Sequence, residues 1–512
     1  MSIASKITLE DKYTARTGRV FLSGIQALVR LPMIQRDRDR AAGLDTAGFI
    51  SGYRGSPLSG LDKELCHAEK HLAAHDIRFQ PGLNEELAAT AIWGTQQIGL
   101  GGEAKVDGVF ACWYGKGPGL DRAADAFKHA NSAGTARHGG VLVLAGDDHG
   151  ARSSTMAHQS EQLFMALGMP VLNPAGVQEL LDYGLLGWAL SRYCGLWVGM
   201  KAITETVESS ATVDITPWRI NGAVPADFAL PEGGLSIRWP DRFLAQEERL
   251  LRHKLPAAIA FARANRLDRV AVGGTAPRFG IVTTGKAYLD VMQALDDLGI
   301  DADYAAAIGL AIYKVGLSWP LEPDGLRAFC HGLEEVLVVE EKRPVVEDQV
   351  RAHLYDWRGH LRPRVVGKAD ETGAPLLPSH GELNPAMVAR VVAGRIGRFY
   401  TSLRVKQRLE WLEAKERALA QVPRDFARTP YFCAGCPHNS STAVPDGSHA
   451  MGGIGCHIMA TWMPDRPTET YTQMGGEGAN WIGQAPFTRR RHVFQNLGDG
   501  TYYHSGLLAI RA

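Results

Sequence analysis

With 512 residues, the chain is too long for one ordinary domain, and three or four folding units are expected. Its apolar fraction of 45% and charged fraction of 21% are those of a globular protein. Its 55 basic side chains equal its 55 acidic ones, which argues against nucleic acid or a membrane surface as a partner.

Residues 1–13 are polar and charged, and they contain no apolar core for a signal peptide. No apolar run in the sequence reaches membrane-spanning length. The protein is therefore expected to be cytoplasmic. In that compartment, an odd count of seven cysteines indicates thiols or metal ligands rather than a disulfide framework.

The first segment, residues 17–230, alternates short apolar runs with helical stretches. Strands are predicted at residues 47–50, 108–113 and 140–145, and a helix at 87–98. Near-continuous apolar strands separated by helices indicate an α/β fold, with a parallel sheet covered on both faces. Ligands bind at the carboxyl ends of such strands. Polar loops follow there, at residues 53–57, 116–121 and 147–154, although each could be a plain turn.

A helix predicted over residues 241–265 leads to a second α/β segment, and Pro256 is expected to kink or divide that helix. This second segment has predicted strands at 280–285 and 335–340, and predicted helices at 286–298 and 344–355. A charged helix at 402–421 indicates another linker. The expected domains are residues 1–240, 277–400 and 431–512, joined by helical linkers at 241–276 and 401–430.

Three cysteines stand close together near the end of the sequence. Cys433 and Cys436 have two residues between them, a spacing that lets two thiolates reach one metal centre. Cys456 follows a Gly-Ile-Gly turn that could bring it near them. A fourth ligand is left open: a zinc site completed by His438 or His457 is one alternative, and structural thiols without a metal are another.

The Gly498-Asp499-Gly500 turn stands between a predicted strand at 492–497 and a predicted helix from 501 to 510. An Asp carboxylate flanked by glycines is a suitable ligand for Mg²⁺, and phosphate oxygens can complete the coordination shell of the ion. A helix N-terminus adds backbone donors for the phosphates. A simple turn is the competing interpretation.

Glu85 and Glu86 open the predicted helix at 87–98, whose remainder is small and apolar. Acidic residues at a helix start are ordinary, because the helix dipole favours them there. A carboxyl desolvated against such a helix would instead have a raised pKa suited to proton exchange.

In this order, these motifs resemble those of the thiamine diphosphate-dependent 2-oxoacid:ferredoxin oxidoreductases. They are most similar to the bacterial indolepyruvate ferredoxin oxidoreductases, whose subunits are fused into one chain. The resemblance covers essentially the whole sequence and is carried by residues 84–89, 145–148, 339–343, 433–438, 453–456 and 498–500.

The resemblance implies a pyrimidine-binding-like first domain, a transketolase C-terminal-like second domain and the start of a diphosphate-binding domain. It implies that Glu85 contacts the pyrimidine ring of thiamine diphosphate, with Glu86 as the second choice. The implied substrate loop consists of Tyr53, Arg54, Gly55 and Ser56.

The resemblance also assigns the cofactor ligands of the third domain. Gly498, Asp499 and Gly500 would hold the diphosphate, with Asp499 on Mg²⁺. Cys433, Cys436 and Cys456 would supply three of the four ligands of a 4Fe-4S cluster.

The implied reaction is oxidative decarboxylation of an aryl-2-oxoacid, such as indolepyruvate, to the acyl-CoA. Coenzyme A and ferredoxin are the implied partners, and a homodimer is expected. Two alternatives remain: a thiamine diphosphate-dependent decarboxylase without a cluster, or an inactive fragment with a binding or assembly role.

In the resembled family, an Asn that completes the Mg²⁺ shell and a fourth cluster cysteine follow further along the chain. Because Ala512 precedes both, a sequence truncated at its C-terminus is expected, with residues 431–512 unstable on their own.

Overall fold

The computed structural model describes residues 7–274, 276–420 and 431–512. The chain forms two compact units, Met1–Arg417 and Ala418–Ala512. The last part of the expected linker, residues 421–430, lies outside the described residues, as do residues 1–6 and 275.

The strands lie in chain order as follows: β1 (Arg19–Ser23), β2 (Thr46–Gly52), β3 (Ile77–Phe79), β4 (Gly108–Lys116), β5 (Val141–Asp147), β6 (Val171–Leu172), β7 (Val198–Ile203), β8 (Ser210–Asp214), β9 (Arg269–Val272), β10 (Phe279–Thr284), β11 (Leu310–Val315), β12 (Leu317–Trp319), β13 (Glu335–Val339), β14 (Arg364–Val366), β15 (Ala450–Gly452), β16 (Thr468–Tyr471) and β17 (Phe494–Gln495).

The α-helices are α1 (Asp11–Thr14), α2 (Gly24–Ala41), α3 (Ser59–His67), α4 (Glu69–Ala74), α5 (Glu85–Gln96), α6 (Gly117–Arg122), α7 (Ala124–Ala133), α8 (Glu161–Ala166), α9 (Val177–Cys194), α10 (Thr204–Val207), α11 (Phe243–Arg249), α12 (Leu255–Ala264), α13 (Gly285–Asp297), α14 (Ala302–Ala307), α15 (Pro323–Cys330), α16 (Val346–Leu354), α17 (Pro385–Ile396), α18 (Leu403–Ala420), α19 (His438–Ser441), α20 (Ala479–Gln484), α21 (Asp499–Thr501) and α22 (Leu507–Arg511). Leu250–Lys254 and Tyr502–Gly506 are π-helical turns, and Cys456–Trp462 and Ala485–Phe487 are 3₁₀-helical.

The main sheet of the first unit has the order β12-β6-β7-β5-β4-β2-β3 and is parallel except for β12. Alternate residues of β5 enter two separate cores: Leu142 packs with α2 and α9, and Val143 packs with α5 and α7. A strand buried on both faces needs apolar residues throughout, which explains its continuous apolar run. The predicted α/β class is therefore confirmed.

The second sheet of this unit has the order β14-β13-β10-β11-β9, parallel except for β9, and β1 pairs with β8 in a separate antiparallel ribbon. Strand β12 comes from the same stretch of chain as the second sheet but pairs with β6 of the main sheet. The helix predicted over residues 241–265 is divided next to Pro256, as expected: the π-helical turn Leu250–Lys254 separates α11 from α12, and Pro256 lies in the first turn of α12.

The second unit contains a parallel sheet of order β16-β15-β17. The strand predicted at 492–497 is reduced to Phe494–Gln495, and the helix predicted after it is formed by α21, the π-helical turn and α22. Within the described part of the chain, every helix is too short or too polar to cross a membrane.

Candidate active site

Glu85 is the first residue of α5, at the carboxyl edge of the main sheet. The Asn84 side chain begins the helix by accepting a hydrogen bond from the Leu87 backbone nitrogen at 2.9 Å. The Trp113 indole nitrogen on β4 donates to the Glu85 carbonyl at 3.0 Å, which fixes the helix start to the sheet. Glu85 is 7% exposed, whereas Glu86 faces solvent. Only the first of the two candidate carboxyls is therefore enclosed by protein.

The Glu85 carboxyl lies against the backbone of Gly119, in the first turn of α6. A Cβ atom at Gly119 would stand 2.6 Å from Glu85 Oε1, closer than real Cβ contacts come. Any side chain at position 119 would displace the carboxyl. The absence of a side chain there thus creates the space that the Glu85 carboxyl occupies.

Residues 116–119 are the last residue of β4 and the first turn of α6, and we call them the 116–119 turn. They belong to one of the three polar loops predicted at the sheet edge, and the other two loops contact them. A Cβ atom at Gly55 would lie 2.9 Å from Lys116 Cβ, so the proposed substrate loop packs on this turn. The Lys116 ammonium donates to the Ser153 carbonyl at 2.6 Å. The fold therefore brings residues 53–56, Glu85 and the loop at 147–154 around one turn.

A backbone hydrogen bond fixes the start of the proposed substrate loop where it leaves β2. The Tyr53 nitrogen donates to the Tyr114 carbonyl at 3.0 Å, continuing the pairing of β2 with β4. Beyond it, Arg54 is exposed, while Gly55 and Ser56 are half-buried. The loop thus presents a guanidinium beside the edge of the sheet at which Glu85 lies.

Asp147 ends β5 and is fully buried among donors. It accepts hydrogen bonds from the Ser160 nitrogen at 2.9 Å and the Ser160 hydroxyl at 2.5 Å. It also pairs with His158 at 3.0 Å and Lys201 at 3.6 Å. Burial alone would raise the pKa of Asp147, but its contacts with His158 and Lys201 hold it well below its usual range.

His158 bridges two carboxylates. Its Nδ1 contacts Asp147 at 3.0 Å, and its Nε2 contacts Asp121 at 2.9 Å. Burial acts to lower the pKa of His158, but the two carboxylates outweigh it and raise the pKa to about 9. The side chain is therefore an imidazolium near neutral pH.

Behind Asp147, a buried ionic cluster lies between the carboxyl ends of the two sheets of the first unit. Lys201 pairs with Glu161 at 2.5 Å, and Lys286 pairs with Glu341 at 3.2 Å. His149 lies 3.9 Å from Glu341, and burial lowers its pKa well below the usual range. These side chains line a cavity of about 10 Å³, the room of one water molecule.

The acidic pair in the 339–343 motif has two separate contacts. Glu340 accepts hydrogen bonds from the backbone nitrogens of Val345, Val346 and Glu347 and so holds the start of α16. Glu341 instead enters the ionic cluster. The motif therefore contributes to structure behind the sheet edge.

In the second unit, the predicted cysteine loop forms a tight turn. The Cys436 nitrogen donates to the Cys433 carbonyl at 3.0 Å, which places the two residues on one loop. All three cysteines of the predicted set are free thiols; Cys433 and Cys456 are exposed, and Cys436 is half-buried. Among the described residues, no group of three or more His, Cys, Asp or Glu side chains is arranged to hold a metal ion.

His457 connects the predicted motifs of this unit. Its fully buried ring lies 5.3 Å from that of His438, the residue that follows the cysteine turn by two. On the other side, a Cβ atom at Gly498 would lie 3.6 Å from His457 Nδ1. Burial and the neighbouring His438 lower the pKa of His457 to about 4, so the ring is neutral.

Asp499 is the first residue of α21 and is exposed. The Thr501 hydroxyl donates to the Ile454 carbonyl at 3.2 Å, which ties the 498–500 turn to the Gly-Ile-Gly turn before Cys456. The fold therefore places the two glycine turns side by side, with the carboxylate of Asp499 free to meet solvent.

Sequence reasoning left several residues of the sheet edge without a role. His158 and Lys201 are charged groups that organise it and were not singled out, and Asp121 was named only as the last residue of the polar loop at 116–121. The weak signal for His158 was its place in the polar stretch that follows β5, where parallel sheets present their ligand-binding loops.

Comparison with known proteins gives a consistent answer. A model of the indolepyruvate oxidoreductase domain matches residues 269–419. Indolepyruvate oxidoreductase subunit IorA of Methanothermobacter thermautotrophicus is 27% identical over 98% of this chain and 74% of its own length. The same subunit of Pyrococcus horikoshii is 24% identical over 96% of this chain and 72% of its own length.

Among solved structures, a 2-oxoglutarate:ferredoxin oxidoreductase from Magnetococcus marinus aligns with a TM-score of 0.49 and 16% identity, over 74% of this chain and 65% of that one. The sequence matches to IorA extend across both units and confirm the resemblance that the motifs indicated. The chain is thus a relative of the indolepyruvate oxidoreductase IorA subunits.

Proposed function

We propose that the protein catalyses the oxidative decarboxylation of an aryl-2-oxoacid, such as indolepyruvate, to its acyl-CoA, with thiamine diphosphate as cofactor and ferredoxin as electron acceptor. One observation carries the proposal within this structure. Glu85, at the carboxyl edge of a parallel sheet, is enclosed against Gly119 while Glu86 faces solvent. The relationship to IorA supplies the reaction class.

We assign the residues of the sheet edge to the pyrimidine half of the cofactor. Thiamine diphosphate would supply the electron sink for decarboxylation. Glu85 would hold a proton at a ring nitrogen of the cofactor, because an enclosed carboxyl makes a strong hydrogen bond. Arg54, in the proposed substrate loop with Tyr53, Gly55 and Ser56, would attract the carboxylate of the 2-oxoacid.

The second unit would hold the charged half of the cofactor and the electron carrier. Asp499, between Gly498 and Gly500, offers an exposed carboxylate oxygen of the kind Mg²⁺ prefers. The free thiols of Cys433, Cys436 and Cys456 are the ligand type of a 4Fe-4S cluster. A homodimer would complete the assembly, with coenzyme A and ferredoxin as its partners.

Thiamine diphosphate is expected to bind the purified 512-residue chain only when Mg²⁺ is present, because the diphosphate needs the ion to offset its charge against Asp499. Isothermal titration calorimetry with and without Mg²⁺ measures this. Asp499→Asn should weaken the Mg²⁺-dependent affinity by on the order of tenfold, because it removes one anionic ligand. An affinity for thiamine diphosphate that depends on neither Mg²⁺ nor this substitution would contradict the assignment of Asp499 as a Mg²⁺ ligand.

Iron and acid-labile sulfide are expected in protein purified without oxygen, in amounts that Cys433→Ser and Cys456→Ser both reduce. Cys330→Ser is the matched control, because that thiol is buried in the core of the first unit. Protein that reacts with 2-oxoacids but contains neither iron nor sulfide would favour a thiamine diphosphate-dependent decarboxylase without a cluster. Zinc in their place would favour the site completed by His438 or His457.

A further inference from the structure

His158 connects the end of β5 to the first helix after β4. Asp147 is the last residue of β5, and Asp121 lies within α6, whose first residue is Gly117. The imidazole contacts both carboxylates, at 3.0 Å and 2.9 Å. Movement of α6 away from the sheet would therefore break a charged contact.

The same imidazole lies directly on the 116–119 turn. A Cβ atom at Gly117 would overlap His158 Nδ1 and Cγ, so the ring packs against backbone there. Two residues further on, Gly119 makes the equivalent close approach to the Glu85 carboxyl. One short turn thus contacts His158 at one glycine and Glu85 at the next.

We propose that His158 is a positioning residue for Glu85, and that it acts by clamping the 116–119 turn between Asp147 and Asp121. His158 itself need not touch the substrate or the cofactor. The inference rests on the proposed function in one respect, since it matters for catalysis only if Glu85 has the role assigned to it.

The ionic contacts of His158 show why a neutral side chain would clamp less firmly. Asp147 is fully buried and is anchored from the other side by Ser160 and Lys201, so it is a fixed point in the sheet. Asp121 is largely exposed and belongs to α6, so it would follow any movement of that helix. A cation held by the fixed carboxylate can draw the second one, and the helix with it, toward the sheet.

His158→Ala should loosen the turn and move the Glu85 carboxyl. Two readouts on the cofactor-free 512-residue chain test this. Hydrogen exchange of the backbone amides in α6 should accelerate by on the order of tenfold, through easier local opening. The carboxyl resonance of Glu85, in protein labelled with ¹³C-glutamate and assigned by its loss in Glu85→Gln, should shift.

Three further variants make the test specific. His149→Ala is the matched control, because that imidazole also faces Asp147, at 4.0 Å, but its other contact is Glu341. Gly119→Ala is the positive reference, because its new methyl displaces the Glu85 carboxyl directly. His158→Gln keeps a donor near the position of Nε2 and should restore part of the wild-type resonance position.

A Glu85 resonance that stays in place in His158→Ala and moves in Gly119→Ala would overturn the clamp and leave the proposed function standing. An equal shift in His149→Ala would also overturn it, because the effect would then spread through Asp147 and not through the turn. If His158→Ala fails to fold, His158→Gln is compared with His149→Gln by the same two readouts, and that comparison tests the clamp. Conversely, a chain that shows the expected shifts but never binds thiamine diphosphate would retain the clamp and lose the proposed function.

Discussion

Glu85→Gln is expected to lower 2-oxoacid-dependent ferredoxin reduction by roughly 10²- to 10⁴-fold, the range of a lost proton-transfer group. Glutamine has the size of glutamate and fits the same space beside Gly119, so the fold and most of the cofactor affinity should survive. What it loses is the acidic proton that Glu85 would share with the cofactor. Turnover under saturating cofactor, together with calorimetric affinity, separates these two effects.

Glu86→Gln is the natural control, since it makes the same chemical change one residue further along the same helix. Because Glu86 faces solvent, turnover should stay within about twofold of the wild type, as for most surface changes. If Glu86→Gln abolished turnover and Glu85→Gln did not, the second choice of the sequence analysis would be the correct one. Equal turnover in all three proteins would remove both carboxyls from the mechanism.

Most of the α/β architecture followed from local sequence pattern. Strands such as Val141–Asp147 are buried on both faces, so their apolar runs are unbroken and easy to recognise. Strand β12 was not predicted, because three residues carry little pattern and its partner β6 lies far away in sequence. The division of the helix next to Pro256 was recognisable, because proline lacks a backbone donor and its ring cannot continue a regular α-helix.

The candidate site was predictable where a motif was contiguous and not where it depends on tertiary contacts. Residues 84–86 indicated an acidic helix start, but the packing of Gly119 determines which of the two carboxyls is enclosed. His158 gave almost no signal, because its partners Asp147 and Asp121 are 11 and 37 residues away in sequence. Pairings of this kind are set by the sheet order, which brings the ends of β4 and β5 together.

Asp147→Asn is expected to destabilise the first unit by about 3–5 kcal/mol, the cost of removing one partner from a buried ion pair. The carboxylate is fully buried, and its loss leaves the His158 and Lys201 cations without their shared anion. Chemical denaturation followed by tryptophan fluorescence measures the change. Asp121→Asn removes the other carboxylate on the same imidazole, but that group is largely exposed, so its cost should stay below about 1 kcal/mol.

Asp147→Asn should also alter how the free energy of unfolding depends on pH. Because the pKa of His158 is raised from its usual 6.5 to about 9, its stabilising contribution is fully present below pH 6.5 and is lost as the pH rises through 9. The pKa of Asp147 is lowered, so its contribution is present above pH 4 and is lost only in stronger acid.

Between pH 6.5 and 9, the wild-type protein should therefore lose up to ~3 kcal/mol through His158. Asp147→Asn should lose less over the same interval, because only Asp121 then raises the pKa of His158. The stability difference between the two proteins should narrow steadily over that interval. A difference that stayed constant from pH 6.5 to 9 would show that the charge of His158 does not depend on Asp147. Lys201 would then be the cation that balances the buried carboxylate, with Ser160 as a hydrogen-bond donor to it.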